Sequence, residues 1–233
     1  ILDLYTLNYG RLSVIAKGAA KAKSANRGLI QVFQPLVISW TGRSQLKTLV
    51  QIDAHRSSFP LVGNQLYCAY YLNELLLALT PEMDANPLLF AAYARALEEL
   101  SNDHEIEVVL RRFESQLLTQ LGIAPDYSYD NDRQPIEPQK RYFITTEGAF
   151  ENCSNIGSVV DRNSICGVAI CCFSSEWAAN CFELLELQQE QLPNRRQVMR
   201  EAKWLMRQLI DRAMGGKPIK SRDLFKQLKE SIR

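Results

Sequence analysis

The sequence predicts an α+β protein: a small N-terminal barrel of short strands, then an α-helical domain with a small irregular insert. Three observations predict it. Apolar residues alternate in short runs through residues 1–56, with turn residues between the runs. After Phe59-Pro60 the apolar spacing becomes three and four, the helical period. Charge divides the same way. Residues 1–60 carry 8 Lys/Arg against 2 Asp, a balance of +6; residues 61–193 stand at −13 and residues 194–233 at +8, within a chain of net charge +1. Two basic blocks around an acidic middle suit a surface for a polyanion and another kept clear of it.

The first block justifies itself strand by strand. Ile1 to Leu7 reads as a strand ended by the turn signal Asn8-Tyr9-Gly10. Leu12, Val14 and Ile15 form a second strand running into Lys17-Gly18. Ala19 to Gly28 holds Lys21, Lys23 and Arg27 among small and polar neighbours, the composition of a solvated loop. Gln31 to Trp40 is a third strand, in which Pro35 marks an edge or a bulge. Thr41-Gly42-Arg43-Ser44 turns the chain into a fourth, Gln45 to Ile52. Four short strands and one long basic loop point to a small barrel. The chain opens on Ile1 with no Met, and one further strand before it brings the count to five, as in an OB-fold.

The remainder reads as helices. Leu72, Leu75, Leu76 and Leu79 share one helical face. Asn86-Pro87 starts a second helix, with Asn as cap and Pro in the first turn; Leu89, Ala92, Tyr93, Ala96, Leu97 and Leu100 face its core. Asn102 with Glu105 resembles a capping box opening a third helix, which buries Ile106, Val109 or Leu110, Phe113, Leu117 and Leu121 and stops at Gly122. Residues 123–172 are irregular, broken by Pro125, Pro135 and Pro138, with short strands expected at Tyr142-Phe143-Ile144 and Val168-Ala169-Ile170. Helices return over Glu176–Leu187, from Asn194 to the stop at Gly215-Gly216, and from Ser221 as cap through Leu224 and Leu228. The expected domains are therefore residues 1–60, a barrel, and residues 61–233, helical, with 123–172 as an insert.

Several function classes find no support. No run approaches the roughly 18 apolar residues of a membrane span, and no secretory leader is visible. Six Cys in 233 residues are too sparse for a disulfide scaffold, so reduced thiols and a cytoplasmic home are expected. His55 and His104 are the only histidines, and no phosphate loop, nucleophile elbow or paired-carboxylate signature occurs. The chain is not expected to be an enzyme or to carry a cofactor. A nuclease using Asp126, Asp130 and Asp132 with magnesium, and an adaptor whose acidic middle binds a basic protein, are the weaker rivals.

Ordered blocks of sequence resemble one family. Leu2-Asp3-Leu4-Tyr5-Thr6, Gly10-Arg11-Leu12-Ser13-Val14-Ile15-Ala16-Lys17-Gly18-Ala19 and Leu29-Ile30-Gln31-Val32-Phe33-Gln34-Pro35-Leu36 are similar to the N-terminal domain of RecO, the bacterial recombination mediator and strand-annealing protein. The similarity continues in Leu46-Lys47-Thr48-Leu49, Tyr71-Leu72-Asn73-Glu74-Leu75-Leu76 and Leu110-Arg111-Arg112-Phe113-Glu114, and ends in residues 215–225; residues 123–190 match poorly. The resemblance implies an OB-fold followed by a helical domain, often with a zinc-binding insert. It also implies binding of single- and double-stranded DNA without strong sequence preference, annealing of complementary strands, binding of the single-stranded-DNA-binding protein (SSB), and help to RecR in loading RecA. A cytoplasmic, nucleoid-associated place during repair goes with that role. Many relatives carry two Cys-x-x-Cys pairs suited to tetrahedral zinc. This chain has none, so its insert resembles a degenerate zinc-finger region and no metal is expected.

The candidate DNA-binding residues are Arg11, Lys17, Lys21, Lys23, Arg27, Arg43 and Lys47 in the first block, and Lys203, Arg207, Lys217, Lys220 and Arg222 in the last. Phosphate neutralisation by such side chains releases counterions and needs no base reading. Arg196, Arg200, Lys203 and Arg207, at helical spacing, form one basic stripe. Tyr5, Tyr9, Phe33 and Trp40 are candidates for stacking on bases, although most aromatics in a small barrel serve its core. Arg111 and Arg112 interrupt the acidic middle beside Phe113 and Leu117. They are candidates for capturing an acidic tail with a free carboxylate, as the resemblance implies for SSB; the competing reading of Arg111 is a salt bridge to Glu107 or Glu114.

Overall fold

The computed structural model describes residues 1–18, 28–155, 164–174 and 193–231. Four strands, β1 (Leu2–Thr6), β2 (Gly10–Ile15), β3 (Leu36–Thr41) and β4 (Lys47–Ala54), form one sheet in the order β1-β2-β4-β3. β1 and β2 are an antiparallel hairpin, β3 and β4 another, and β2 runs parallel to β4 where Val14 meets Lys47 and Ile15 meets Thr48. A parallel junction between two hairpins makes this a partial OB-fold rather than a simple meander. Alternation fixes the inward face of β2: Leu12 and Val14 are buried, while Arg11 and Ser13 between them are half-exposed.

β3 starts later than its composition suggests. Phe33 has a left-handed backbone (φ 60°) and Pro35 has no amide to give a ladder, so the strand begins at Leu36. It is an edge strand, as Pro35 implies. A bulge follows: Ser39 pairs with Gln51 but Trp40 with Leu49, which leaves Val50 outside the ladder.

Helices α1 (Gly63–Leu79) and α2 (Pro87–Ser101) follow. The Asn86 side chain accepts the Leu89 amide at 2.9 Å, the expected cap. Asn102 does not open the next helix. It ends α2, Asp103 turns left-handed at φ 59°, and α3 starts at Ile106 and runs to Gln120. The chain divides into two compact units: residues 1–106 with 219–233, and residues 107–218. In the first unit α1 and α2 belong with the sheet, Tyr5 of β1 lying 6.0 Å from the Phe90 ring and 6.1 Å from the Tyr93 ring.

The second unit carries the insert. β5 (Arg141–Ile144), β6 (Phe150–Asn152) and β7 (Ile165–Cys166) form a small sheet in the order β6-β5-β7. The Val168-Ala169-Ile170 run is helical, not extended: it lies in α4 (Gly167–Cys171), where full burial on all sides replaces the alternation of a strand. Gly167 is pressed so close to the Glu137 carbonyl that a Cβ would stand 2.0 Å from its oxygen. α5 (Arg195–Ala213) is capped by Asn194, which accepts the Gln197 amide at 3.0 Å, and buries Val198, Ala202, Leu205 and Leu209 on one face. Gly215 and Gly216 end it in left-handed conformations, φ 59° and 81°. The helix expected over Glu176–Leu187 lies outside the described residues.

The last helix, α6 (Lys220–Ser231), returns to the first unit and packs on α1. Its cap is not Ser221. The Glu74 carboxylate accepts the Lys220 and Ser221 amides at 2.7 and 2.8 Å, so a side chain of α1 supplies what a local cap would.

Candidate nucleic-acid interface

The cations of the first block separate into used and unused charges. Arg11, on β2, is used. Its Nε donates to the Thr80 carbonyl at 3.2 Å and its Nη1 stands 3.6 Å from Glu82. The Met83 amide in turn donates to the Arg11 carbonyl at 2.8 Å, stitching the α1–α2 connection to β2. Arg56 lies 4.6 Å from the Phe59 ring centroid and 4.0 Å from Glu98. Lys21, Lys23 and Arg27 lie outside the described residues.

Lys17, Arg43 and Lys47 are different. Lys47 opens β4 beside Val14 of β2, Lys17 follows the end of β2, and Arg43 sits in the β3–β4 turn, where Gly42 (φ 112°) lies against the Lys47 backbone. Of the three, Lys47 lies in a strand and Lys17 and Arg43 lie in the segments that follow β2 and precede β4. Lys17 and Arg43 are exposed and Lys47 is half-exposed, and none forms an ion pair among the described residues.

The aromatic candidates also separate. Tyr5 packs against Phe90 and Tyr93, and burial pushes its hydroxyl pKa up to about 12, with Asp84 adding to the shift. Phe33 meets Tyr70 edge-on at 5.3 Å. Tyr9 and Trp40 meet edge-on at 4.8 Å, with Tyr9 exposed and Trp40 half-exposed. That contact joins the β1–β2 turn to β3, across strands that are not neighbours in the sheet.

The C-terminal candidates are distributed over both units. Arg196, Arg200, Lys203 and Arg207 all face solvent from α5, so the stripe exists. Two of its members have acidic partners: Lys203 Nζ is 2.8 Å from Glu107 and Arg207 is 3.9 Å from Asp211. Both pairs are exposed and are each worth about 0–1 kcal/mol, weak enough for a phosphate to replace. Lys217 is exposed just beyond the Gly-Gly turn. In the first unit Lys220 is exposed, while Arg222 is half-buried with its guanidinium 5.6 Å from the Tyr71 ring centroid.

Arg111 is not a surface residue. It is 6% exposed, and its Nη2 stands 2.6 Å from Glu114, itself 1% exposed, one helical turn on. The expectation of a guanidinium held out beside an apolar groove is corrected: the i,i+3 spacing places Glu114 against it, and both turn inward. Arg112, next on the helix, is half-exposed and has interactions of its own.

The insert's cysteines are buried. Burial and the neighbouring Glu201 carboxylate push the Cys166 thiol up to about 12. Glu201 also accepts the Cys166 amide at 2.6 Å and pairs with Arg141 at 3.3 Å. Burial chiefly raises Cys153 as well, and the Cys171 thiol donates to the Ile136 carbonyl at 3.7 Å. Cys68, Cys153, Cys166 and Cys171 are free thiols. Among the described residues no three His, Cys, Asp or Glu side chains are grouped to hold a metal. The acidic loop considered for magnesium is occupied locally: Asp126 accepts the Ser128 amide at 2.9 Å and Asp130 accepts the Asp132 and Gln134 amides at 3.0 and 2.8 Å. No helix among the described residues is long and apolar enough to cross a membrane.

A partial OB-fold sheet followed by helices defines the fold class. Comparison with known proteins narrows it. The family models described as "Recombination protein O N terminal" and "Recombination protein O C terminal" match residues 1–58 and 62–223. The chain is 36% identical to "DNA repair protein RecO" of Aromatoleum aromaticum, across 99% of this chain and 89% of the relative. It is 36% identical to the proteins of the same name from Idiomarina loihiensis, covering 98% and 92%, and from Coxiella burnetii, covering 97% and 90%. The chain belongs to the RecO family, and its role is in DNA repair and recombination.

Proposed function

We propose that this protein binds single- and double-stranded DNA without strong sequence preference and anneals complementary strands during recombinational repair. The observation that carries the reading is that Lys17, Arg43 and Lys47, on or beside the sheet of the first unit, reach solvent and form no ion pair among the described residues. Cations on and beside the sheet that can meet phosphates lower the cost of bringing two phosphate backbones together, because each neutralised phosphate releases its condensed counterion. The exposed stripe on α5 and Lys217 are further basic residues available to DNA in the second unit, and Lys21, Lys23 and Arg27 add charge in sequence beside Lys17. The protein acts by binding, with no catalytic turnover and no cofactor.

Recruitment is a separate step in this reading. The acidic tail of SSB docks on the second unit near α3, RecR joins, and RecA replaces SSB on the strand. Because Arg111 is occupied by Glu114, tail capture rests on Arg112. The protein works in the cytoplasm, at the nucleoid. Annealing of complementary strands coated with SSB tests the whole reading. The protein accelerates duplex formation, and no acceleration together with no binding to either DNA form overturns it. Calorimetry with an SSB tail peptide tests recruitment, with Arg112→Ala weakening the peptide and sparing DNA.

A further inference from the structure

We infer that the Tyr9–Trp40 pair is the site where an unpaired base of single-stranded DNA stacks, so that the first unit distinguishes single strands from duplex by this pair. The inference rests on the DNA-binding reading above and deepens it.

Of the four aromatic candidates, two are committed elsewhere. Tyr5 lies against the rings of Phe90 and Tyr93, and Phe33 against Tyr70. Tyr9 and Trp40 touch each other at 4.8 Å with their planes at 85°, and each keeps surface in solvent, Tyr9 47% of it. An edge-to-face pair leaves ring faces open, and an open face is what a base needs.

Both side chains are held by unusual backbone. Tyr9 ends the β1–β2 turn, where its amide donates to the Thr6 hydroxyl at 3.2 Å and that hydroxyl donates to the Gly10 carbonyl at 2.9 Å. Gly10, next in sequence, is fixed by its close approach to Asp84. Trp40 stands on β3 opposite the bulge in β4, where Val50 is left outside the ladder, and that break in register sets how its side chain is presented. Rings presented by rigid backbone bind a flexible strand at lower entropic cost than rings on a mobile loop.

Charge chooses the occupant. Trp40 is three residues from Arg43, and its ladder partner Leu49 is two residues from Lys47. An aromatic pair beside phosphate-binding cations fits a nucleotide, with the base on the rings and the backbone on the cations. Duplex DNA has its bases already stacked and offers the pair nothing.

The test is affinity of the full chain for three probes: a thymidine oligonucleotide, a base-free oligonucleotide of equal phosphate count, and a duplex. Tyr9→Leu with Trp40→Leu is expected to bind the thymidine strand on the order of tenfold more weakly, with the base-free and duplex affinities and the salt slope unchanged. Tyr9→Phe and Trp40→Phe, which keep a ring, retain most of the affinity and guard against a folding defect. A 5-iodouracil strand is expected to photocrosslink to wild-type protein at Tyr9 or Trp40. Unchanged thymidine affinity, an equal loss on all three probes, or crosslinks only elsewhere overturns the stacking site while leaving DNA binding standing. A wild-type protein that binds none of the probes overturns the DNA reading and the stacking site together.

Discussion

Gly10 approaches Asp84 so closely that a Cβ built on it would stand 1.9 Å from the Asp84 carbonyl oxygen. Its φ of 67° is also one that only glycine adopts freely. A single residue between β1 and β2 therefore sets both the hairpin turn and the seating of the α1–α2 connection on the sheet. Gly10→Ala is expected to destabilise the protein by about 3 kcal/mol or more, combining backbone strain with a contact that must open. Urea unfolding checks it; a midpoint within error of wild type would mean the approach is dispensable.

The Glu74 carboxylate, capping α6 from α1, makes the helix dock pH-sensitive. Burial opposes its ionisation, but the hydrogen bonds from Ser221 and Lys220 and the Lys220 charge outweigh burial and hold its pKa below the usual glutamate range. An unfolded chain then binds more protons than the folded one. The stabilisation is present above the ordinary carboxylate pKa of about 4.3 and is lost as pH falls through the lower folded value. Glu74→Gln is expected to cost about 1 kcal/mol at neutral pH, modest because the group is partly solvated. The gap from wild type should close in acid, and a gap that persists or widens there would contradict the cap.

Arg111 and Glu114 form a pair buried within one helical turn. Arg111→Leu takes the guanidinium away from a carboxylate with 1% exposure and is expected to cost about 3–5 kcal/mol. Arg111→Leu with Glu114→Leu should recover most of that loss, because the buried carboxylate is removed together with the guanidinium. A double-mutant cycle by chemical unfolding measures it. An Arg111→Leu protein as stable as wild type would return Arg111 to the surface and to the partner-binding role.

Much of the fold was legible in the sequence because it is local. The Asn86-Pro87 and Asn194–Gln197 helix starts, the Gly215-Gly216 stop and the alternation through Leu12 and Val14 are each written within a few residues. Misplaced elements have non-local causes. Ser221 has the chemistry of a cap, but the true cap comes from Glu74, 147 positions away in sequence. Val168-Ala169-Ile170 looks like a strand because every residue is apolar, and burial on all sides is equally met by a short helix. Candidate cations were legible as charge, not as free charge. Arg11 and Lys47 read alike, and only the fold puts Glu82 beside one of them. The i,i+3 spacing of Arg111 and Glu114 was the one warning that sequence did carry.

The salt dependence of single-strand affinity tests the central claim most directly: that Lys17, Arg43 and Lys47 meet phosphates. The slope of log affinity against log salt should flatten by roughly two units when all three become Gln, since each lost contact removes about 0.7 on a single strand. Arg11→Gln, whose charge is taken up by Glu82, should leave the slope unchanged. A triple variant with the wild-type slope, or an Arg11 variant that flattens it equally, would contradict the account.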